Sequence, residues 1–209
     1  MRTLCAISLV LALMPRLVGQ TQEPSKAADP KVETIIFIRH GEKPLSGLGQ
    51  ITCQGLNRAL ALPAVLTSKF GKPDRIYAPD PTGKVHDPAG TFDYLRPLAT
   101  IEPTAIRLGM PVSCDYHYDQ IKDLETELLS PERAGQVIFI VWEHHYLNQM
   151  VKDLVQSKGG DPKQVPDWPG SEYDRIDILR IPGGNGPVIF AQDHENLNHL
   201  SDNCPGSSQ

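Results

Sequence analysis

A tripeptide in the first quarter of the chain carries the residue types of a phosphate-handling site. Arg39, His40 and Gly41 follow directly after a β-branched, apolar run. The planar guanidinium group of an arginine can bind two phosphate oxygens at once. A neutral imidazole, whose reference pKa is about 6.5, is a competent nucleophile near neutral pH. Gly41 allows a sharp backbone turn and leaves room for a ligand. The tripeptide therefore predicts a site that holds a phosphoryl group and attacks it.

A second arginine and a second histidine occur further along the chain in comparable contexts. Arg96 lies at the start of a predicted helix, four residues before Thr100, and His144 follows Trp142-Glu143 at the exit of a predicted strand. Phosphoryl transfer depends mainly on positioning and on charge stabilisation. Two arginines and two histidines could supply both to a doubly charged phosphate without a metal ion.

The elements that must position these residues alternate between strands and helices. Hydrophobic patterns predict strands at 33–39, 74–78, 136–142, 176–181 and 188–191, with a brief one at 111–112. They predict four helices, at 53–70 with Thr52 as its N-cap, at 94–108, at 119–129 and at 145–157, and a loop at 79–90. Prolines 63, 97 and 103 are expected to kink or break the helices that contain them. This alternation predicts one α/β domain, a three-layer sandwich with a mostly parallel central sheet and helices on both faces.

The ends of the two strongest strands carry the functional prediction. In open α/β sheets the ligand lies beyond the carboxyl ends of the strands. His40 follows the first strand and His144 follows the strand at 136–142. We therefore expect the two histidines to lie at the same edge of the sheet.

Four stretches together resemble the histidine phosphatase superfamily, the phosphoglycerate mutase-like proteins. Residues 38–42 resemble its R-H-G signature, and residues 48–59 (LGQITCQGLNRA) resemble its L-T-x-x-G-x-x-R-A helix start. Arg96 to Thr100 resembles its R-x-x-x-T segment, and residues 137–144 resemble the strand that delivers the second histidine. The four stretches occur in the family's order and span roughly residues 32–192, which makes the resemblance fairly specific.

The resemblance implies a fold, an activity and a set of site residues. The fold would be phosphoglycerate mutase-like, and the activity would be hydrolysis of a small phosphorylated substrate without a cofactor or metal. His40 would be the nucleophile and would form a transient phosphohistidine, which water would then hydrolyse. Arg39, Arg96 and His144 would complete the phosphate pocket.

The chain departs from the family pattern around the second histidine. The usual Ser-His-Gly is replaced by Glu143-His144-His145, and the loop at 78–94 is longer than in many relatives. The family's acid is not evident, so Asp115 is the first candidate for general acid and Glu143, expected to point away from the pocket, is the second. A missing acid slows the hydrolysis of substrates with poor leaving groups most.

Composition narrows the range of partners. The net charge of −5 argues against non-specific electrostatic binding of nucleic acid. The 6% aromatic content argues against a surface on which the bases of a single-stranded nucleic acid could stack. The composition, 40% hydrophobic and 22% charged, is that of a soluble globular protein. The oligomeric state has no sequence signal.

The first residues predict export. Residues 4–14 form an unbroken run of apolar or small residues, well short of the roughly 20 that a membrane-spanning helix needs. A charged start and a Pro-Arg stop complete the pattern of a secretory signal peptide. We predict a signal peptide at 1–20, a flexible leader at 21–31, a catalytic domain at 32–209, and no stable membrane insertion. Export disfavours a mutase of glycolytic sugar phosphates.

Several alternatives stay open at this level. Cys53, Cys114 and Cys204 lack metal-binding spacing, so they are either small buried residues, the favoured interpretation, or one bridged pair with a third thiol. Arg58 could face the site or form a surface ion pair. Asp80 and Asp87 could bind a cation, but turn formation by an aspartate next to a proline explains them well. The chain could also be a phosphate-binding or regulatory protein with little turnover, or a metal-dependent hydrolase that uses Glu143, His144 and His145.

Overall fold

A computed structural model describes residues 31–183 and 186–206. These residues form seven strands, β1 (Val32–Arg39), β2 (Arg75–Tyr77), β3 (Lys84–Asp87), β4 (Gly90–Asp93), β5 (Val137–Trp142), β6 (Arg175–Pro182) and β7 (Ile189–His194). They also form four α-helices, α1 (Cys53–Phe70), α2 (Arg96–Leu108), α3 (Ile121–Leu128) and α4 (His144–Ser157). The predicted signal peptide, most of the predicted leader and the centre of the turn between β6 and β7 lie outside the described residues.

Five of the strands form one mixed sheet in the order β2-β5-β1-β6-β7. β2 and β1 each pair with β5 in parallel, whereas β6 runs antiparallel to both β1 and β7. The α/β class and the mostly parallel sheet are as predicted, because four of the five strands run in the same direction and only β6 runs against them. The short β6–β7 connection permits only antiparallel pairing of these two strands.

The two faces of the sheet bury two separate hydrophobic cores, which confirms the three-layer arrangement. Along β1, Ile35 and Phe37 point to the face covered by α3 and α4, while Ile36 and Ile38 point to the face covered by α1 and α2. All four side chains are fully buried. Alternate side chains of a strand face opposite sides, so an apolar residue at every position marks a central strand covered on both faces.

Helix α1 begins where its predicted capping residue places it, but the predicted breaks at prolines do not occur. Thr52 caps α1 by accepting a hydrogen bond from the amide of Gly55 at 3.1 Å. Pro63 lies inside α1 and Pro103 inside α2, yet both helices are continuous. The buried faces of both helices pack against the sheet, and that packing outweighs the local cost of a proline. Pro97 lies in the first turn of α2, where proline is tolerated.

The predicted loop at 79–90 contains a hairpin that the sequence pattern did not predict. β3 and β4 pair with each other as a separate two-stranded sheet, with Val85 opposite Phe92. Both strands are short and largely polar, so they lack the apolar alternation that predicts a strand. The strand predicted at 111–112 is reduced to a single bridge between Tyr77 and Ser113.

The C-terminal segment is fastened across α1. A disulfide bond joins Cys53, the first residue of α1, to Cys204, while Cys114 is a free thiol. The side chain of Asn57 donates hydrogen bonds of 2.8 Å to the carbonyl oxygens of Ser201 and Asn203. The favoured interpretation of the cysteines as small buried residues is therefore wrong for Cys53 and Cys204, which form the bridged pair of the alternative.

No helix in the described part of the chain combines the length and the apolar character needed to cross a lipid bilayer.

Candidate active site

The parallel pairing of β1 with β5 brings the two predicted histidines to one edge of the sheet. Arg39 is in register with Trp142, and the amide of His40 donates a 3.0 Å hydrogen bond to the Trp142 carbonyl oxygen. His40 therefore lies beside Glu143, and His144 follows as the first residue of α4. Both strands end here, which is the edge that sheet topology predicts for a ligand.

His40 is held as a neutral imidazole in one tautomer. Its Nδ1 lies 2.8 Å from the carbonyl oxygen of Gly41. Because a carbonyl oxygen can only accept a hydrogen bond, Nδ1 carries the proton and Nε2 keeps a lone pair. Burial lowers the pKa of His40 to about 3, and the charges of Arg39 and Arg96 act in the same direction, against the Gly41 carbonyl and Glu143. His40 therefore presents an unprotonated nitrogen at neutral pH.

The backbone of the loop that carries His40 is fixed by two of the motifs that the sequence indicated. The amide of Gly41 donates a 2.8 Å hydrogen bond to Oγ1 of Thr100, whose hydroxyl donates to the carbonyl oxygen of Arg96, also at 2.8 Å. Gly55 packs against this loop so closely that a Cβ there would lie 2.7 Å from the Glu42 carbonyl oxygen. The R-x-x-x-T threonine and the helix-start glycine thus position the loop rather than the ligand.

Arg39 is held between a loop and an aromatic ring. Its Nη1 donates hydrogen bonds to the carbonyl oxygens of Gly170 at 2.8 Å and Glu172 at 2.9 Å. Its Cζ lies 3.7 Å from the ring centre of Tyr173, a cation–π contact. The side chain is 1% exposed. Tyr173 also lies 6.3 Å from the His40 ring, centre to centre, so one tyrosine contacts both members of the predicted pair.

Arg96 reaches the same region from the first turn of α2 and forms a buried ion pair. Its Nη2 contacts the carboxylate of Asp87, which also accepts a 2.9 Å hydrogen bond from the amide of Gly49. Asp87 lies in β3 and is 6% exposed. The assignment of Asp87 to turn formation is therefore wrong, because the hairpin carries this carboxylate inward to the arginine.

Some of the buried polar atoms that lack a partner belong to the residues around His40. Nε of Arg39 and Nε of Arg96 have no partner in hydrogen-bonding geometry among the described residues, and the hydroxyl proton of Tyr94 has no acceptor there. An unpaired buried polar group costs about 1–3 kcal/mol, so native proteins contain few of them. Three such groups around one neutral imidazole point to a ligand with several acceptor oxygens.

His144 lies at the same edge of the sheet, but among the described residues it is linked to the cluster only through Glu143 and Gly170. Its Nδ1 lies in close contact with Oε1 of Glu143. A Cβ added to Gly170 would lie 3.5 Å from Nε2 of His144, so the imidazole packs close to this glycine. The carbonyl oxygen of Gly170 accepts a hydrogen bond from Arg39. About a quarter of the His144 side chain is exposed, at 24%. Of the four predicted residues, His144 is the one that faces the solvent.

Glu143 is an ionised helix cap. Its Oε2 accepts hydrogen bonds from the amides of His145 at 2.8 Å and Tyr146 at 3.1 Å. Burial alone would raise its pKa, but the contact with His144 and the hydrogen bond from the Tyr146 amide outweigh burial and lower the pKa to about 2. A carboxylate with that pKa holds no proton to donate at neutral pH. The geometry therefore makes Glu143 a partner of His144 and not a general acid.

Asp115, the first candidate for general acid, is not brought to the cluster. It is exposed, in the loop after the bridge between Tyr77 and Ser113. No contact joins it to His40 among the described residues. Its role stays a prediction that nothing in the site's geometry favours.

Arg58 neither faces the site nor lies on the surface. It is fully buried and contacts three carboxylates, those of Glu42, Asp174 and Glu195. This cluster ties α1 to the loop after His40 and to the segment after β7. The arginine of the helix-start motif is thus a structural ion-pair centre.

The sequence interpretation missed two tyrosines at the site, Tyr94 and Tyr173. Both rings contact His40 with centres 6.3 Å apart. Both residues lie between regular elements, where no periodicity marks them. In the residues covered by the structure, no group of three or more histidine, cysteine or acidic side chains is arranged to hold a metal ion.

Comparison with known proteins finds similarity in structure and not in sequence. No protein-family model and no curated protein sequence matches the chain. Among solved structures, the candidate phosphohistidine phosphatase SixA of Nakamurella multipartitia matches with a TM-score of 0.54 at 14% identity, covering 79% of this chain and 98% of that one.

Two further solved structures agree with this match. A phosphoglycerate mutase of Plasmodium falciparum matches with a TM-score of 0.53 at 15% identity, covering 86% of this chain and 98% of that one. A mycobacterial glucosyl-3-phosphoglycerate phosphatase in complex with inorganic phosphate matches with a TM-score of 0.52 at 13% identity, covering 77% and 95%. The chain therefore has the phosphoglycerate mutase-like fold that its four sequence stretches predicted.

Proposed function

We propose that this chain, which has the fold of phosphoglycerate mutase-like proteins, is an exported phosphohydrolase that uses His40 as its nucleophile. The substrate is a phosphomonoester or a phosphoanhydride. One observation carries the proposal: a neutral imidazole with its lone pair on Nε2 lies among unpaired guanidinium donors of Arg39 and Arg96. Phosphatases and a mutase of phosphorylated small molecules share the fold, which supports the same substrate class.

The reaction follows from the tautomer of His40. Nε2 attacks phosphorus, the bond from phosphorus to the leaving oxygen breaks, and its electron pair departs with that oxygen. The ring gains positive charge, which the Gly41 carbonyl oxygen stabilises through Nδ1–H. Water then attacks phosphorus, the N–P bond breaks with its electrons returning to Nε2, and inorganic phosphate leaves.

The arginines supply the charge stabilisation. Arg39 and Arg96 lie close enough to lower the pKa of His40, so they also lie close to a phosphoryl group bound to it. Removing one positioned donor from a developing oxyanion costs about 10²–10³ in rate. His144, with Glu143 at its Nδ1, would close the pocket on the solvent side.

Substrate entry requires the cluster to open. Arg39, His40 and Arg96 are each at most 2% exposed. The segments that cover them are the β3–β4 hairpin, which brings Asp87 onto Arg96, and residues 170–173, which pack on Arg39. Phosphate competes with the Asp87 carboxylate for Arg96, because both are anions that suit a guanidinium group.

Export is the part of the proposal that rests on the cysteines and the N-terminal sequence. Disulfide bonds persist mainly in oxidising compartments. The bond between Cys53 and Cys204 supports the same compartment as the predicted signal peptide at 1–20.

The test compares the purified protein with its His40→Ala variant on an aryl phosphate in the presence of a chelator. We expect turnover by the parent, inhibition by vanadate, and loss of at least about 10³-fold in the variant, because the nucleophile is gone. His199→Ala, which removes an exposed histidine of the C-terminal segment, is the matched control and should be fully active. A quenched reaction should trap a label that is stable to alkali, labile to acid and absent in His40→Ala. Turnover that persists in His40→Ala would refute the proposal.

One observation favours a second candidate, a phosphate-binding or regulatory protein with little turnover. Around His40, the carboxylate of Asp87 is paired with Arg96 and that of Glu143 is in contact with His144, so neither is poised as an acid. Calorimetric binding of inorganic phosphate without hydrolysis of any tested ester would support this candidate. Activity that disappears with chelator would instead support a metal-dependent hydrolase.

A further inference from the structure

We propose that Tyr94 is a third donor of the phosphate site, whose phenolic O–H binds a non-bridging oxygen of the phosphoryl group held at His40. This inference rests on the proposed phosphate site and adds a residue that none of the four recognised sequence stretches contains.

The ring of Tyr94 is fixed against the nucleophile. Its centre lies 6.3 Å from that of His40, at an interplanar angle of 90°, and the Cζ of Arg96 lies 5.4 Å from its centre. On another side the ring of Tyr118 contacts it at 5.3 Å and 70°. The residue is 1% exposed. Tyr94 thus contacts the nucleophile and one of the two arginines.

The hydroxyl of Tyr94 has no acceptor of its own. It is buried, and no described residue accepts a hydrogen bond from it. The Arg96 guanidinium group lies within reach of the phenolic oxygen, but it can only donate, so the hydroxyl proton has no acceptor. Tyr77 and Tyr116, by contrast, both direct their hydroxyl groups to the carboxylate of Glu127. Buried phenols are normally paired, so the unpaired one, which lies beside the candidate nucleophile, indicates an acceptor supplied by a ligand.

The charge state suits a donor. Burial raises the pKa of Tyr94 far above its ordinary value, the carboxylate of Glu143 adds to this, and Arg96 and Arg39 act against it. The phenol is therefore neutral and keeps its proton. A neutral hydroxyl beside two guanidinium groups can donate to a phosphate oxygen without adding charge to the site.

The test is Tyr94→Phe, which removes one oxygen atom and keeps the ring that packs on His40. A donor to a non-bridging oxygen acts on every substrate alike. We therefore expect kcat/KM to fall about 100-fold for both an aryl and an alkyl phosphate, and the inhibition constant of vanadate to rise at least about tenfold. Tyr118→Phe, which removes the hydroxyl of the next ring in the same stack, is the matched control and should change neither quantity.

Two results would overturn the inference. Unchanged kcat/KM and vanadate inhibition in a Tyr94→Phe protein with the parent's melting temperature would show that the hydroxyl contacts no phosphoryl oxygen. A loss confined to the alkyl phosphate would show that Tyr94 acts on the leaving group instead.

Failure of the proposed hydrolysis would be seen separately. If the parent protein turns over no ester, calorimetry with inorganic phosphate still compares Tyr94→Phe with the parent. Weaker phosphate binding in the variant would support the donor role, and equal binding would overturn it.

Discussion

At the scale of single residues, the surroundings of His40 determine whether it can act at all. A histidine in water is partly protonated near neutral pH. His40 is removed from water and lies beside two guanidinium groups, and both effects disfavour its charged form. The same guanidinium groups that would attract a phosphate therefore also help to keep the proposed nucleophile free of a proton.

This gives a prediction about titration. Because the pKa of His40 is lowered to about 3, we expect its ring to stay neutral from pH 8 down to pH 4.5, with the proton on Nδ1. Long-range ¹H–¹⁵N NMR spectra of the histidine rings, assigned by comparison with His40→Ala, measure both the tautomer and the titration. A ring that gains a proton between pH 6 and 7, or that carries its proton on Nε2, would contradict the prediction.

At the scale of elements, α1 fixes the loop that carries His40 through a glycine. An alanine inside a helix is normally more stable than a glycine by about 1 kcal/mol. At Gly55 we expect the opposite sign, because a Cβ would lie 2.7 Å from the carbonyl oxygen and 3.0 Å from the amide nitrogen of Glu42. That backbone follows Gly41 directly, so a shift there displaces His40.

The measurement for Gly55→Ala combines chemical denaturation with kinetics. We expect the free energy of unfolding to fall by about 1–3 kcal/mol, as for other overpacked sites, and kcat/KM on an aryl phosphate to fall at least about tenfold. Gln54→Ala, the neighbouring position of the same helix, is the control and should leave both nearly unchanged. A stabilised and fully active Gly55→Ala would show that the close packing does not position the loop.

The elements that the sequence predicted are those with a strong local signal. β5 is apolar at every position and β1 is apolar throughout its central residues 35–38, and Thr52 marks the start of α1. The β3–β4 hairpin was missed because its strands are short and polar, and its position depends on the contact of Asp87 with Arg96. That contact joins residues of two different elements, so it produces no periodic pattern of apolar residues in the sequence.

The same reasoning separates the predicted from the missed residues of the site. Arg39, His40 and His144 lie directly at the ends of β1 and β5, so strand prediction alone places them at one edge. Tyr94 and Tyr173 enter from irregular segments whose course is set by tertiary contacts. Residue type alone does not identify a general acid, because burial and hydrogen-bonding partners determine whether a carboxyl group is protonated. Asp115 is exposed and Glu143 is ionised, and neither property could be read from the sequence.

At the scale of the whole molecule, the C-terminal segment closes the chain into a large covalent loop. The Cys53–Cys204 bond spans a sequence separation of 151 residues. A loop of that size restricts the unfolded chain by about 5 kcal/mol in the chain-entropy account, and native disulfides typically contribute about 2–4 kcal/mol. The hydrogen bonds of Asn57 to Ser201 and Asn203 lie beside it.

We therefore expect a Cys53→Ser, Cys204→Ser double variant to lose about 2–4 kcal/mol of unfolding free energy. The loss should equal that produced by a reducing agent in the parent protein. Urea denaturation under oxidising and reducing conditions measures it, and Cys114→Ser, which removes the free thiol, should respond to reductant as the parent does. A double variant as stable as the oxidised parent would refute the prediction.

The burial of the imidazole has a further consequence for chemical labelling. A histidine that water barely touches is also out of reach of acylating and alkylating agents, so His40 should resist reagents that modify the outlying histidines at 86 and 199 within minutes. The rate at which His40 is labelled would then measure how often the β3–β4 hairpin and residues 170–173 move away from it. A change in that rate on adding vanadate would show that a bound phosphate analogue alters this opening.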